Sequence, residues 1–314
     1  MTLKKIADET GVSVITVSRV IHSPEKVKET TRKRVQEAIN KYNYTPNKVA
    51  QALVYKRTNI IYLYMPEDLE ATHPFVMQLI AGITSYLGDK GYSVLLRREW
   101  YAGERCDGMI LVGLTLEYET LLSKLNDSMP IVLFGHNDIV DWIDVDNYLG
   151  SYQMTKYVID KQKKNIAYIG IDQSKKFTID RLEGFKQAMK DSKRETPYIE
   201  LVDNKEYFGY EAALNMLQKD PTIDALVCAS DYLAIGAMRA ANKLNIIVPD
   251  TLGVTGFDGL GYEYLTSPNL TTVRQPIYSI GKDLAHCIIK KINGKDTSRT
   301  NRYVSPEIVE KESI

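Results

Sequence analysis

The side chains between Ser13 and Arg19 have the chemistry of duplex DNA recognition. An arginine such as Arg19 can donate two hydrogen bonds to the edge of a guanine in the major groove. Val14 and Ile15 have no donors, so they can only contact thymine methyl groups or exclude bases sterically. The hydroxyls of Ser13 and Thr16 suit phosphate oxygens. If these residues form one helix, its outward face carries Val14, Ile15, Ser18 and Arg19.

A recognition helix needs a second helix to hold it, and the spacing of Ala7, Gly11 and Val17 predicts such a pair. A small residue lets the helices pack closely, glycine supplies the tight turn, and an apolar residue locks the second helix against the first. The predicted helices run from Leu3 to Thr10 capped by Thr2, from Val14 to Ile21 capped by Ser13, and from about Glu29 to Tyr42. The same spacing also fits an ordinary three-helix bundle that does not bind DNA.

Charge is divided unevenly along a chain whose formal net charge is zero. Residues 1–58 hold 12 Lys and Arg against 5 Asp and Glu, a local charge of +7, and the remainder carries −7. A basic segment on an acidic body is typical of a nucleic-acid-binding module. A solvated basic helix face would give the same pattern.

The cysteines and the apolar runs restrict where the protein works. Cys106, Cys228 and Cys287 are odd in number and far apart, so we expect core-filling thiols in a reducing compartment. No apolar run reaches 18 residues and no secretory segment opens the chain, so we expect a cytoplasmic, nucleoid-associated protein without a membrane span.

From Ile60 onward, apolar β-rich runs alternate with helical patterns, which predicts parallel sheets covered by helices. The predicted strands are Ile60–Met65, Tyr92–Leu96, Met109–Val112, Ile131–Phe134, Ile166–Ile171, Tyr198–Val202, Ala225–Cys228, Gly253–Gly256 and a last one near Tyr303 to Ile308. The predicted helices are Phe75–Lys90, Glu117–Leu125, Tyr148–Asp160, Ile179–Asp191, Tyr210–Gln218, Tyr232–Asn242 and Ile277–Ile292. Near Trp100 the room between strands is too short for a full helix, so we expect an irregular crossover there.

The fold class is therefore α/β, with an all-α helix-turn-helix headpiece before a two-lobed core with parallel sheets. We assign residues 1–45 to the headpiece, 46–58 to a hinge helix and linker, and 59–314 to the core. The N-lobe takes about 59–148 plus 276–296, and the C-lobe about 149–275 plus 297–314. Asn47 to Tyr55 is helix-prone but too short to be stable alone in water.

The headpiece resembles the lactose-repressor/galactose-repressor family of bacterial transcription regulators. The resemblance lies in residues 7–13 (ADETGVS), 16–20 (TVSRV), 31–35 (TRKRV), Ala38, 44–47 (YTPN) and 49–53 (VAQAL). It implies DNA contacts from Tyr44, Asn47, Ala50, Gln51 and Leu53, besides the residues of the second helix. It also implies that Asn47–Tyr55 folds on DNA and that Leu53 wedges into the minor groove. Leu53 as a core contact is the alternative, and Ile15 departs from the family pattern.

The core resembles the same family, whose core is like the periplasmic sugar-binding fold, in residues 145–150 (VDNYLG), 181–185 (RLEGF), 230–237 (SDYLAIGA), 256–258 (GFD) and 271–276 (TTVRQP). This implies an effector crevice at the carboxyl ends of the strands. It would be lined by Phe75 from the first lobe, by Arg181, Asp258, Gln275 and either Asp231 or Ser230 from the second, with Phe177 or Tyr207 stacking on a sugar ring. Carboxylate, guanidinium and aromatic groups together suit a polyol or a base.

Each of these polar residues has a purely structural alternative. Asp231 can cap the helix predicted from Tyr232. Asp258 can form a turn among glycines, and Arg181 can be a surface ion-pair partner. Gly135 stands where relatives often carry a ligand-binding aspartate, a departure from the family pattern.

We therefore expect a repressor that binds a palindromic operator as a homodimer and is controlled by a small molecule, a carbohydrate, between its lobes. A dimer is expected because no leucine heptad follows the last strand. One rival is an enzyme, against which stand the missing phosphate-loop and nucleophile motifs and the scattered histidines. No catalytic residue, metal ligand or cofactor is expected. The other rival is a solute-binding protein, which would not need the basic headpiece.

Overall fold

The computed structural model describes residues 2–42, 44, 57–99, 105–114, 122, 129–195, 198–294 and 299–314. It divides into two units, Met1–Thr58 and Asn59–Ile314. The predicted hinge helix (Asn47–Tyr55), the middle of the crossover (100–104) and, except for Leu122, the helix predicted over Glu117–Leu125 lie outside the described residues.

The first unit contains the predicted helix-turn-helix. Helix α1 spans Leu3–Thr10, α2 spans Val14–His22, and α3 spans Glu29–Lys41 after a short 3₁₀ turn. Thr2 and Ser13 cap α1 and α2 by accepting hydrogen bonds from backbone N–H groups. Gly11 ends α1 in the left-handed conformation, at φ 62°. The core of this unit is formed by Ile6, Ala7, Val17, Val20, Val35 and Ala38.

The second unit contains two six-stranded sheets, each covered by helices. The first sheet has the order β2-β1-β3-β4-β5-β11 and is parallel throughout. Its strands are β1 (Ile60–Tyr64), β2 (Ser93–Arg97), β3 (Gly108–Val112), β4 (Ile131–Phe134), β5 (Asp141–Val145) and β11 (Asn301–Val304). Helices α4 (Pro74–Asp89) and α9 (Ile277–Ile292) pack with it, and we call this part the first lobe.

The second sheet has the order β7-β6-β8-β9-β10-β12, parallel except for β12. Its strands are β6 (Ile166–Ile171), β7 (Ile199–Val202), β8 (Ala225–Cys228), β9 (Gly253–Asp258), β10 (Thr271–Arg274) and β12 (Glu307–Val309). Its helices are α5 (Asn147–Asp160), α6 (Lys176–Asp191), α7 (Glu206–Lys219) and α8 (Asp231–Lys243). We call this part the second lobe.

The C-terminal segment corrects one sequence-based assignment. Residues 297–314 were assigned to the C-lobe, with one strand near Tyr303 to Ile308. Instead β11 pairs with β5 in the first sheet, and the chain then crosses to the second sheet, where β12 pairs with β10. Strand β5 is not among the predicted strands, and its two aspartates interrupt the apolar pattern there. Asp141 is buried nevertheless, because it accepts hydrogen bonds from the Thr300 amide (2.5 Å) and from the Lys291 ammonium.

Replacing glycine by alanine is expected to have opposite effects on stability at two helical positions. A Cβ added to Gly236 on α8 would lie 2.2 Å from the carbonyl oxygen of Glu206 and 2.4 Å from the amide of Tyr210. Gly236→Ala is therefore expected to force α7 and α8 apart and lower the free energy of unfolding by at least about 1–3 kcal/mol. Gly88, in the last turn of α4, has open space around the added Cβ, so Gly88→Ala is expected to stabilise by about 0.4–1 kcal/mol.

Urea unfolding of both variants measures the difference. Equal effects of the two substitutions would contradict the close packing of α7 on α8.

None of the helices in the described part of the chain is both long and apolar enough to cross a membrane.

Candidate DNA-contact surface and effector cavity

Helix α2 presents the predicted reading residues on its open face. The exposed fractions of Val14 and Ile15 are 41% and 65%, and Arg19 is exposed, whereas Val17 is fully buried. Ser13 and Thr16 share a hydroxyl–hydroxyl hydrogen bond of 2.9 Å at the N-cap, and Ser18 is half-buried. An apolar pair beside an arginine on an exposed helix face is suited to base edges and thymine methyl groups.

The other predicted DNA contacts are placed less completely. Tyr44 is half-buried and packs against the headpiece core, and its amide donates to the carbonyl of Ile39 at 3.0 Å. Helix α3 is tied to α1 through a 2.8 Å ion pair between Lys41 and Glu9. The predicted contacts Asn47, Ala50, Gln51 and Leu53 lie outside the described residues.

A cavity of about 480 Å³ lies where the carboxyl ends of the strands of both lobes meet. This is the position at which open α/β sheets bind ligands. The first lobe contributes loops after β1, β3 and β4, and the second lobe contributes loops after β6, β7, β9 and β10. Its lining includes five of the predicted effector residues, namely Phe75, Phe177, Arg181, Asp258 and Gln275.

Arg181 is the centre of the second-lobe wall. Its side chain is buried, donating to the side-chain oxygen of Asn147 at 2.9 Å and to the carbonyl of Ala229 at 2.7 Å. Its guanidinium carbon lies 5.1 Å from the ring centroid of Phe177 and 3.7 Å from that of Phe257. Stacking and hydrogen bonds therefore fix the guanidinium, as its planar shape allows. Arg181 is not a surface ion-pair partner.

Asp258 lies 3.6 Å from Arg181 and accepts a 2.7 Å hydrogen bond from the Gln275 amide. Burial raises the pKa of the Asp258 carboxyl, and the positive charge of Arg181 opposes that rise. The backbone of Asp258 has a φ of 144°, so its position at the end of β9 is also a sharp turn. The two readings of this residue, turn former and cavity carboxylate, are therefore compatible.

Three predicted residues do not line the cavity. Ser230 caps α8 by accepting from the Leu233 amide at 3.2 Å, and Tyr207 is 60% exposed on α7. Asp231 is fully buried and accepts hydrogen bonds from the Gly259 amide at 2.8 Å and the Thr272 hydroxyl at 2.5 Å. Burial raises the pKa of Asp231 to about 8. Asp231 therefore stabilises the turn after β9, and it is Ser230, one residue earlier, that caps the helix.

The first-lobe wall is apolar at its base and polar at one edge. Phe75 and Phe134 lie 5.4 Å apart between ring centroids, and beside them stand His136 and Asp144. The His136 ring nitrogen Nδ1 is 3.1 Å from Asp144 and 3.7 Å from Asp180 of the second lobe. The hydrogen bond that the His136 ring donates to the Asp144 carboxylate raises the pKa of His136, and burial raises that of Asp144.

Sequence reasoning missed His136 and Asp144. The sequence signal that could have indicated these two residues is an aspartate inside an apolar run, Asp144, with a histidine eight residues before it. The ligating atoms of His136, Asp144 and Asp180 lie within 4.8 Å of one another. Both carboxylates face the same ring nitrogen, Nδ1, and the Lys176 ammonium donates to the His136 carbonyl at 3.0 Å.

The rim of the cavity is held by contacts between the lobes. Lys175, which is buried, is ion-paired with Asp68 of the first lobe. The His73 ring meets the Tyr232 ring edge-on with centroids 4.8 Å apart, and the Tyr232 hydroxyl lies 3.1 Å from that of Tyr262. These contacts hold the two walls together around the cavity.

Comparison with known proteins identifies the class of this chain. Residues 2–47 match the model of bacterial regulatory proteins of the lacI family, and residues 155–314 match a periplasmic binding protein-like domain. The uncharacterized HTH-type transcriptional regulator YvdE of Bacillus subtilis (strain 168) is 34% identical over 99% of both chains. The chain belongs to the lacI family. This regulator is therefore a DNA-binding transcription regulator, with the repressors of its family as relatives, and not an enzyme.

Other relatives extend over the whole regulator. The HTH-type transcriptional repressor PurR of Vibrio cholerae serotype O1 (strain M66-2) is 29% identical over 100% of this chain and 98% of its own. The structure titled transcriptional regulator CelR-cellobiose complex has a TM-score of 0.75 at 25% identity and covers 100% and 99% of the two chains. The Lac repressor dimer bound to operator and the anti-inducer ONPF has a TM-score of 0.86 at 22% identity, covering 100% and 98%. The fold of the regulator is that of the Lac repressor.

Proposed function

We propose that this regulator is a repressor that binds a palindromic operator as a homodimer and that a neutral sugar in the cavity between its lobes controls it. The sugar assignment rests on the contrast between the two walls of the cavity, one with polar side chains and the other with aromatic rings. One wall offers the fixed guanidinium of Arg181, the carboxylate of Asp258 and the amide of Gln275. The other offers the aromatic rings of Phe75 and Phe134.

Two opposed walls of this kind match the two kinds of surface on a sugar ring. Hydroxyl groups at the ring edge pair with carboxylate, amide and guanidinium groups, and the apolar ring face lies against aromatic side chains. Phe177, on the second lobe, adds a further aromatic side chain to the lining. The complex of CelR with cellobiose supports the proposal, since that relative shares the fold and holds a sugar.

The charges around the cavity favour a neutral sugar over a phosphorylated one. Even with His136 counted as a cation, the carboxylates that line the cavity outnumber the cationic side chains: Glu67, Asp68, Glu70, Asp144, Asp203 and Asp258 against Lys175, Lys176, Arg181, Lys205 and His136. Of these cations, Lys175 and Arg181 already face carboxylates at Asp68 and Asp258. A ligand phosphate would therefore be repelled by the excess of carboxylates.

For DNA, we propose that α2 enters the major groove with Val14, Ile15, Ser18 and Arg19 toward the bases and Ser13 and Thr16 toward phosphates. Tyr44, Asn47, Ala50, Gln51 and Leu53 complete the proposed contacts. Two headpieces in a homodimer read two half-sites, so the operator is expected to be a near-palindrome. The operator-bound dimer of the Lac repressor, which shares the fold, supports this arrangement.

A thermal-shift screen of neutral mono- and disaccharides, sugar phosphates and purines tests the effector class. A sugar at 100 times its Kd should add about 2.7 kcal/mol of stability, which raises the midpoint of a unit of this size by roughly 5–10 °C. The same sugar should change affinity for an operator selected from random oligonucleotides. Stabilisation by sugar phosphates alone would contradict the neutral-sugar assignment. If the protein showed no salt-sensitive preference for any DNA sequence, the proposed operator binding would be contradicted.

A further inference from the structure

Helix α6 presents two adjacent faces to the first lobe in its first two turns. Phe177 and Arg181, four residues apart, line the cavity. One position earlier on each turn, Lys176 and Asp180 enclose His136 of the first lobe. Lys176 donates to the His136 carbonyl at 3.0 Å, and Asp180 lies 3.7 Å from its imidazole. The residues that face a ligand and those that hold the lobes together therefore sit on the same two turns.

We propose that His136, oriented by Asp144 and facing Asp180, is a proton-dependent clamp that holds the two lobes closed over the cavity. The clamp is built across the lobe boundary: the imidazole follows β4, Asp144 lies on β5, and Asp180 belongs to α6 of the second lobe. The Asp144 carboxylate is fixed, because its second oxygen accepts from the Val145 amide at 2.8 Å. Of the two carboxylates that face the imidazole, only Asp180 belongs to the other lobe, so opening of the lobes would take Asp180 away and leave Asp144 in place.

The groups around His136 favour its protonated form. Asp144 comes from β5, Asp180 and Lys176 from α6, and the rings of Trp142 and Tyr303 pack at centroid distances of 6.0 and 5.7 Å. The Asp146 carboxylate, which follows β5, is a further negative charge nearby. Like Asp144, it raises the pKa of Asp180 and of Tyr303. The carboxylates outweigh the single ammonium of Lys176, and the hydrogen bond that His136 donates to Asp144 is the largest cause of the raised pKa of His136.

The direction of the linkage follows from that sign. Asp144 acts on His136 in both forms, so the closed form differs by the second-lobe groups: in this proposal the Asp180 carboxylate, which raises the pKa of His136, outweighs Lys176 and burial, which lower it. The closed form then binds the proton more tightly than the open form does. Lowering the pH from above the pKa of the closed form therefore shifts the lobes toward closure, and raising it releases them. A further expectation rests on the proposed function: by the same linkage, a sugar that binds between closed lobes should bind more tightly at the lower pH.

Titration of the full-length protein by NMR, with histidine labelled at its ring carbon, tests the clamp without any ligand. The chain has four histidines, and His136→Gln identifies the signal of His136. We expect the pKa of His136 in the wild type to lie above the ordinary 6.5, to fall in Asp180→Asn, and to fall further in Asp144→Asn. The control His286→Gln, at a residue bonded to Tyr86 on the outer surface, should leave it unchanged.

Two results would overturn the proposal. An unchanged His136 pKa in Asp180→Asn would show that the second lobe does not reach the imidazole in solution. Asp180 is partly exposed and its substitution leaves Asp144 in place, so this variant should fold even where Asp144→Asn does not. A shift of the His136 signal on adding EDTA, or stoichiometric binding of Zn²⁺, would show a cation at the cluster instead of a proton. Neither result depends on whether sugar is the effector.

Discussion

Arg181→Met is expected to lower the free energy of unfolding of the second unit by about 3–5 kcal/mol, as removal of one partner of a buried ion pair does. The arginine side chain is buried, and its loss removes the guanidinium that pairs with the Asp258 carboxylate. Asn147 and the Ala229 carbonyl also lose their donor. Urea unfolding followed by circular dichroism measures the change, and the variant is also expected to lose any thermal shift with the sugar that stabilises the wild type.

The loss should depend on pH with a definite sign. Burial already raises the pKa of Asp258, and Arg181 is the largest influence that opposes this rise, so without Arg181 the pKa is expected to rise further although the Gln275 hydrogen bond remains. When the pKa of a carboxyl is higher in the folded state than in the unfolded state, the free energy of unfolding falls as the pH rises from the unfolded-state pKa, near 3.8, toward the folded-state pKa. The deficit of Arg181→Met relative to the wild type is therefore expected to be smallest near pH 4 and to grow toward neutral pH.

A second substitution separates lost charge balance from lost packing. Arg181→Met with Asp258→Asn removes the uncompensated carboxylate and is expected to be more stable at neutral pH than Arg181→Met alone. The double variant should also lose most of the pH dependence. A pH-independent deficit that the second substitution does not reduce would show that Arg181 acts through packing on Phe177 and Phe257 alone.

Local chemistry explains why much of the fold could be predicted from sequence. The headpiece helices begin at Thr2 and Ser13, whose side chains cap them, and the first ends at a glycine that adopts the left-handed conformation. Helices α6 and α7 begin three and four residues earlier than predicted, at Lys176 and Glu206. Their N-cap residues are lysines with no side-chain cap, so no local signal marks those starts.

The polar residues of the candidate site were predictable where a motif contained them. Arg181, Asp258 and Gln275 stand in motifs of the second lobe, and the structure brings them together. Asp231 stands in such a motif too, yet its carboxylate turns inward to Thr272 and Gly259. His136 and Asp144 meet Asp180 only through the packing of one lobe on the other, a tertiary contact that periodicity and spacing do not encode.

Arg19→Ala is expected to weaken binding to the selected operator by roughly 5- to 150-fold per half-site, since a bidentate arginine–guanine contact contributes about 1–3 kcal/mol. In a homodimer both half-sites lose the contact, so the combined loss is roughly the square of that factor. Arg19 is exposed on α2, next to the turn that carries Ile15. Its removal should leave the fold of the headpiece unchanged.

Arg34→Ala on α3 is the matched control, because it removes the same charge from an exposed position outside α2. A purely electrostatic role for Arg19 would make the two variants alike: both would lose affinity for operator and random DNA equally, with a smaller salt slope. A base-reading role predicts a different outcome. Arg19→Ala should bind random DNA nearly as well as Arg34→Ala does, but it should no longer discriminate between bases at one base pair of each half-site. Fluorescence anisotropy at several salt concentrations, with operators substituted at each position, distinguishes the two. Since Val14 and Ile15 have no donors, the preference that survives in Arg19→Ala should be confined to positions where a thymine methyl group can be contacted.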